Sequence, residues 1–161
     1  MNVAFIPVRG GSKSIPLKNI RLINNKPLVY WVMKAANNCD YIDKIYVATD
    51  SDKIRETVEN ICFSKDESFK KVCVIGRSKE SATDVASTES AMLEFAERYE
   101  FDNIVLIQAT SPLLTSEDLN NGFKEFFKEN TDSVLSVVRQ KRFYWEVDDR
   151  GFAYATNYRC V

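Results

Sequence analysis

The chain has 161 residues, of which 45% are hydrophobic, and a net charge of −1 from 22 basic and 23 acidic side chains. This length suits one domain with its own core, and the balanced charge is unlike the basic surplus of a general nucleic-acid binder. Histidine is absent from the sequence, which excludes Ser-His-Asp triads and histidine-ligated metals, and no apolar run approaches the roughly 18 residues of a membrane span.

The four cysteines, Cys39, Cys62, Cys73 and Cys160, lack the paired spacing of a zinc site. A chain of this size does not need a disulfide framework, so we expect reduced thiols in a cytoplasmic protein. Met1 leads directly into an apolar segment, and we therefore expect no signal peptide.

Five short apolar runs predict strands at residues 3–7, 45–48, 72–75, 104–107 and 134–138. Continuous apolar runs of this length are typical of strands that are buried on both faces. Helical periodicity lies between them. The N-terminal signals of the four predicted helices are Pro27, Asp50 or Ser51, Ser87, and the capping-box pair Thr115 and Asp118. Because strands and helices alternate, we predict a parallel α/β sheet with helices on both faces.

The pattern changes after Arg139. Two aromatic-rich segments, QKRFYWEV and FAYATNYRCV, flank a DDRG turn, which predicts a β-hairpin. We therefore expect a nucleotide-binding α/β domain over residues 1–139 and a hairpin extension over 140–161.

The loop after the first strand, PVRGGSKSIPLKN at residues 7–19, is rich in glycine and cationic side chains. Glycines let the backbone approach an anion closely or adopt positive φ, and successive backbone N–H groups can cradle phosphate oxygens. The loop matches neither a Walker loop nor a dinucleotide fingerprint. A solvated basic turn is the alternative interpretation. The residues that could contact an anion here are Arg9, Gly10, Gly11, Ser12, Lys13 and Lys18.

Other predicted strands also end in polar segments. Asp50 and Asp52 follow the second strand, a long polar connection at 77–88 follows the third, and the segment 108–111 follows the fourth. Ligands of open α/β sheets bind at the carboxyl ends of the strands, so these segments predict one site at that edge. Helix caps and polar turns are the alternative interpretations.

The segments RGGSKSIPLKNI, ATDSD, RSKESATDVAST and QATSPLLTSEDL resemble, in this order, the acylneuraminate cytidylyltransferases, or CMP-sialic acid synthetases. The likeness runs from residue 3 to about residue 147. It implies a Rossmann-like, mostly parallel sheet of the nucleotide-diphospho-sugar transferase type, with helices on both faces and a projecting β-hairpin. Members of the family transfer CMP from CTP to the anomeric hydroxyl of a nine-carbon 2-keto acid sugar and release pyrophosphate.

The resemblance also implies residue roles. The nucleotide would be bound by Arg9, Gly10, Gly11, Ser12, Lys13, Lys18, Asn19, Arg77, Ala86 and Thr88, with Lys18 and Arg9 acting on the reacting phosphates. The sugar would be bound by Gln108, Thr110 and Ser111. The implied metal is Mg²⁺, with Mn²⁺ as a substitute, and its main ligands would lie beyond Val161, because family members are longer than this chain. The implied partners are CTP, a sialic-acid-type sugar and a second copy of the chain, with no nucleic acid and no membrane.

One position departs from the family pattern, because Ser14 stands where members usually have glycine. Three other functions stay open. The chain could be a cytidylyltransferase for KDO or another nonulosonic acid, a truncated CTP-binding domain without turnover, or a structural α/β domain whose basic loop binds nothing.

Overall fold

The computed structural model describes residues 1–12, 14–64, 68–83, 85–139 and 141–157. The strands are β1 (Asn2–Pro7), β2 (Leu22–Ile23), β3 (Lys26–Pro27), β4 (Lys44–Thr49), β5 (Val72–Gly76), β6 (Asn103–Leu106), β7 (Trp145–Val147) and β8 (Ala153–Ala155). The helices are α1 (Leu28–Asn37), α2 (Asp52–Cys62), α3 (Thr88–Ala96) and α4 (Ser116–Phe126), and a 3₁₀ turn covers Lys18–Ile20.

Four parallel strands form the central sheet in the order β5-β4-β1-β6. Strand β1 lies inside the sheet, between β4 and β6. Its residues from Val3 through Ile6 are buried. The chain builds the sheet outward on one side of β1 with β4 and β5, and then crosses to the other side with β6. This reversal of direction is the switch point where ligands of open α/β sheets bind.

The alternation of side chains along β1 divides the core into two layers. Ala4, Ile6 and Val8 pack with residues of α1, α2 and α4. Val3 and Phe5 pack on the opposite face with residues of α3. The prediction of a parallel sheet with helices on both faces is therefore confirmed.

Three predicted caps begin their helices. Ser51 accepts a hydrogen bond from the Ile54 backbone N–H, Ser87 accepts one from Ser90, and Thr115 and Asp118 form the reciprocal capping box. Helix α1 differs by one residue from the prediction. Pro27 has extended backbone, with ψ of 147°, pairs with Leu22 in the small β2–β3 hairpin and stands just before the first helical residue.

The prediction of a strand at 134–138 is wrong, since these residues form no strand in the described chain. Val134, Leu135, Val137 and Val138 are exposed, Leu135 by 83%. An apolar run becomes a strand only where a neighbouring strand takes up its backbone N–H and C=O groups. This run pairs with none of the described strands.

The predicted C-terminal hairpin is present as β7 and β8, which pair antiparallel around the Asp148–Gly151 turn. Asp148 accepts hydrogen bonds from the backbone N–H groups of Arg150 and Phe152, which holds the turn together. The proposed boundary after residue 139 stays a prediction. Among the helices of the described residues, none is long and apolar enough to cross a membrane.

Candidate functional site

The loop that follows β1 is packed tightly against the corner between β4 and α2. A Cβ atom on Gly10 would lie 2.8 Å from the Cβ atom of Ser51, so a side chain at Gly10 would collide with that corner. The Gly10 backbone N–H donates to Asp50 Oδ1 over 2.8 Å. Gly10 is therefore required for close packing. Positive φ is not the reason, because in the described chain Gly151 is the one glycine that adopts it.

The second half of the loop turns Lys18 and Asn19 toward the same side. Leu17 adopts a left-handed conformation with φ of 52°, which is rare for a residue other than glycine, asparagine or aspartate. The 3₁₀ turn that follows carries Lys18 and Asn19. Asn19 is only 8% exposed and donates through Nδ2 to the Arg9 carbonyl oxygen over 3.2 Å. It therefore ties the two ends of the loop together.

The connection from β5 to α3 closes the opposite side. Arg77 donates through Nε to Ser81 Oγ over 3.2 Å and through Nη2 to the Ser81 carbonyl oxygen. Arg9 reaches across and donates through Nη1 to the Thr83 carbonyl oxygen over 2.8 Å. Burial lowers the pKa of the Arg77 guanidinium, while the negative charges of Asp50 and Glu94 oppose that shift. The guanidinium remains charged, because arginine is not deprotonated in proteins.

These segments enclose a cleft of about 240 Å³ at the carboxyl ends of the strands. Its walls carry three cationic side chains, those of Arg9, Lys18 and Arg77, and none of the described residues that line it is acidic. Gln108 and Thr110, which follow β6, form the other side. The cleft can therefore accept an anion next to a neutral, hydrogen-bonding surface.

The structure brings most of the predicted site residues to this one cleft. Those that line it are Arg9, Ser12, Lys18, Asn19, Arg77, Ala86, Thr88, Gln108 and Thr110. Gly10, Gly11 and Ser111 do not appear in its walls, and Lys13 lies outside the described residues. Pro7, Thr83 and Ala109 also line the cleft and were missed. Pro7 and Ala109 give no chemical signal in the sequence, and Thr83 is one of several hydroxyl residues in the polar connection at 77–88.

None of the described residues that line the cleft carries a carboxylate, so these lining residues would not by themselves hold Mg²⁺. Asp50 already accepts the Gly10 N–H, and Asp52 is exposed in the first turn of α2. Within the described ranges, no group of three or more acidic, histidine or cysteine side chains is placed to hold a metal ion. Mg²⁺ in phosphoryl-transfer sites is held by one or two carboxylates together with substrate phosphates.

Comparison with known proteins identifies the family. The family model described as "Cytidylyltransferase" matches residues 3–149. The chain belongs to the cytidylyltransferase family. It is 40% identical over 144 residues to N-acylneuraminate cytidylyltransferase B of Danio rerio, a match that covers 89% of this chain and 32% of that protein. It is 32% identical over 158 residues to the N-acylneuraminate cytidylyltransferase of Streptococcus agalactiae serotype V, covering 94% and 36%.

The resemblance identified from the sequence is thus confirmed, and the chain spans about a third of the length of the curated relatives it matches. Solved structures agree on the fold. A CMP:2-keto-3-deoxy-manno-octonic acid synthetase complexed with CTP superposes with a TM-score of 0.65 at 22% identity, over 78% of this chain and 46% of that one. The 4-diphosphocytidyl-2C-methyl-D-erythritol synthase of Anaerococcus prevotii superposes at 0.71 and 12% identity, over 98% and 63%. At these identities the likeness establishes the fold alone.

Proposed function

We propose that this chain binds CTP in the cleft and takes part in the transfer of CMP to the anomeric hydroxyl of a sialic-acid-type 2-keto sugar, with release of pyrophosphate. The observation that carries the proposal is the convergence of Arg9, Lys18 and Arg77 on one cleft whose other side is formed by Gln108 and Thr110. The relatives named N-acylneuraminate cytidylyltransferase support this choice of nucleotide and sugar.

The cationic side of the cleft suits the triphosphate. In the transfer step the hydroxyl oxygen forms a bond to the α-phosphorus and gives up its proton to water, while the bond to the pyrophosphate oxygen breaks. Negative charge therefore gathers on the non-bridging and leaving oxygens. Positively charged side chains placed beforehand around those oxygens lower the barrier of such a step. We assign this role to Arg9 and Lys18, and the binding of the cytidine part to Arg77, Ala86 and Thr88.

The neutral side of the cleft suits the sugar. Gln108 and Thr110 follow β6, across the switch point from the loop after β1. An amide and a hydroxyl both donate and accept hydrogen bonds, as the recognition of sugar hydroxyls and a carboxylate requires. We place Ser111 at the edge of this sugar site.

The proposal includes Mg²⁺, with Mn²⁺ as a substitute, which would neutralise part of the triphosphate charge when bound. Because none of the described residues that line the cleft carries a carboxylate, a second candidate function for the chain by itself is CTP binding with little turnover. We expect the 161-residue chain to form CMP-sugar at well below about 1 per second, the lower end of ordinary enzyme rates.

Product formation tests the proposal. The chain would be incubated with CTP, Mg²⁺ and either a sialic acid or KDO, and CMP-sugar would be measured by mass spectrometry beside released pyrophosphate. We expect slow product with the sialic acid and less with KDO. Faster product with KDO would refute the proposed sugar, and a rate near 1 per second would refute the assignment of the chain as a mainly nucleotide-binding part.

A homodimer is also part of the proposal. The β7–β8 hairpin exposes a set of large apolar side chains, Phe143, Tyr144, Trp145, Val147, Phe152 and Tyr154. A two-stranded hairpin by itself is marginally stable in water, so these side chains call for a partner surface. Light scattering at about 10–50 µM chain should give the mass of a dimer, a concentration range that populates a micromolar complex. A monomer mass throughout this range would refute it.

The proposal places the protein in the cytoplasm. Cys39, Cys62 and Cys73 carry free thiols, and free thiols persist in a reducing compartment. Fractionation of cells that produce the protein would test this location, and recovery in an extracellular fraction would refute it.

A further inference from the structure

The position of Arg77 in the cleft depends on a folded turn at the start of the β5–α3 connection. Ser78 Oγ accepts from the Ser81 backbone N–H over 3.1 Å, and the Ala82 N–H donates to the Ser78 carbonyl oxygen over 3.2 Å. This turn presents Ser81, only 5% exposed, to the guanidinium of Arg77. The geometry of Arg77 therefore follows the geometry of Ser81.

Glu94 of helix α3 accepts hydrogen bonds from this turn. Its carboxylate accepts from the Ser78 N–H over 3.1 Å, from Ser78 Oγ over 2.8 Å and from Ser81 Oγ over 2.5 Å. It also pairs with Arg98 at 2.9 Å, and its side chain is only 16% exposed. Burial works against ionisation, but the hydrogen bonds from Ser81 and Ser78, together with the positive charge of Arg98, outweigh it and hold the pKa of Glu94 below its usual value. The carboxylate is therefore ionised near neutral pH and accepts hydrogen bonds only.

The ionised carboxylate determines the direction of the hydrogen bonds in the turn. A serine hydroxyl has one proton and two lone pairs. Ser81 Oγ lies 2.5 Å from Glu94 Oε2 and 3.3 Å from the Ser78 carbonyl oxygen, so the shorter contact assigns its proton to Glu94. The lone pairs of Ser81 Oγ are then available to Arg77 Nε at 3.2 Å.

We propose that Glu94 is a positioning residue for the nucleotide site, which acts through Ser81 to hold the Arg77 guanidinium in the cleft. Glu94 itself is not among the described residues that line the cleft, so it acts on the ligand only through this chain of hydrogen bonds. The inference rests on the proposed CTP site.

The isosteric variant Glu94→Gln tests these hydrogen bonds. The amide carries no charge, so it accepts hydrogen bonds from the Ser78 and Ser81 hydroxyls less strongly than the carboxylate does and holds Ser81 less firmly beside Arg77. Calorimetric titration should show CTP binding weakened about tenfold, which corresponds to about 1.4 kcal/mol of coupling. The matched control is Glu97→Gln, which removes the same charge from an exposed position at the end of the same helix and should change the affinity less than about twofold.

A double-mutant cycle with Arg77→Ala decides whether Glu94 acts through Arg77. If it does, Glu94→Gln should not weaken CTP binding further once Arg77 is replaced by alanine. The double variant should then bind CTP within about twofold of Arg77→Ala alone. If the double variant binds CTP about tenfold more weakly than Arg77→Ala alone, the two losses are independent and the proposal is overturned. If Glu94→Gln does not fold by circular dichroism, Ser81→Ala takes its place in the same cycle with the same expectation.

A nucleotide-free measurement separates this inference from the proposed function. The Arg77 Nε–H can be followed by NMR hydrogen exchange, and Glu94→Gln should speed its exchange about tenfold while Glu97→Gln leaves it unchanged. An unchanged exchange rate in Glu94→Gln would overturn the inference even if CTP binds. Failure of the unaltered chain to bind CTP, together with the faster exchange, would refute the proposed function and leave Glu94 as the residue that positions Arg77.

Discussion

Gly10→Ala and Gly11→Ala form a matched pair, because the two glycines are adjacent in one loop but only Gly10 is closely packed. A Cβ atom on Gly10 would lie 2.8 Å from the Cβ atom of Ser51 and 3.3 Å from its Oγ atom. A Cβ atom on Gly11 would have no other atom of the described chain within 4 Å. Real Cβ contacts are longer than 2.8 Å, so Gly10→Ala must push the loop away from the start of α2.

The expected loss of stability in Gly10→Ala follows from the contacts that the loop must give up. Overpacking of a close contact destabilises by about 1–3 kcal/mol, and a shift of the loop also strains the hydrogen bond from the Gly10 N–H to Asp50. For a domain of this size, each kcal/mol lowers the melting temperature by about 2–4 °C. Gly11→Ala should stay within about 0.5 kcal/mol of the unaltered chain.

Urea unfolding at fixed temperature measures both variants. The free energy of unfolding should fall by about 1–3 kcal/mol for Gly10→Ala with an unchanged slope in urea, since the surface exposed on unfolding is the same. Because Arg9 and Ser12 line the cleft and lie in the same loop as Gly10, a shift of the loop should also lower CTP affinity in this variant. Equal stability of the two variants would refute the argument that close packing requires Gly10.

Three further predictions concern charged side chains. Lys18→Ala should weaken CTP binding about 10- to 150-fold, the range of one charge-assisted hydrogen bond. It should weaken CMP binding less. Equal losses for CTP and cytidine in parallel titrations would contradict a phosphate contact. Arg77→Ala should weaken CMP and CTP by similar factors, because we assign Arg77 to the cytidine part; normal CTP binding would contradict this. The pKa of Glu94 lies below its ordinary value of 4.5, so its contribution to stability is present above that pH and is lost as the pH falls through the lower, folded-state value. The stability difference between the unaltered chain and Glu94→Gln should therefore be constant from about pH 6 to 8 and shrink below about pH 4.5, which urea unfolding at several pH values would measure. A stability difference that persists at low pH would mean that the negative charge of Glu94 does not contribute to stability.

The layers of the fold could be predicted because each strand and cap carries its own local signal. Apolar runs that are buried on both faces mark β1 and β4, and Ser51, Ser87 and Thr115 mark helix starts with side chains that satisfy backbone N–H groups. The run at 134–138 has the same local signal but no strand beside it in the described chain. Pairing is a property of the neighbouring strand, which one segment of sequence does not contain.

The candidate site was predicted in outline, and its supporting contacts were not. Cationic and polar residues at strand ends are visible in the sequence, and parallel strands bring their carboxyl ends to one edge. The contact of Gly10 with Ser51, 41 residues apart in the chain, depends on how the loop packs against another corner. Glu94 could not be recognised because a glutamate in an amphipathic helix is most often a solvated residue, and only the fold places it beneath the turn that holds Arg77.

Calorimetric titration of the 161-residue chain with CTP, and with ATP at the same concentrations, tests the central claim most directly. The claim is that the cleft lined by Arg9, Lys18 and Arg77 is a CTP site. We expect one saturable site for CTP, at least about tenfold tighter than for ATP, with an affinity that falls as salt is added because cationic side chains hold the phosphates. Absence of CTP binding would contradict the account. So would ATP binding as tight as CTP binding, if Arg77→Ala leaves it unchanged.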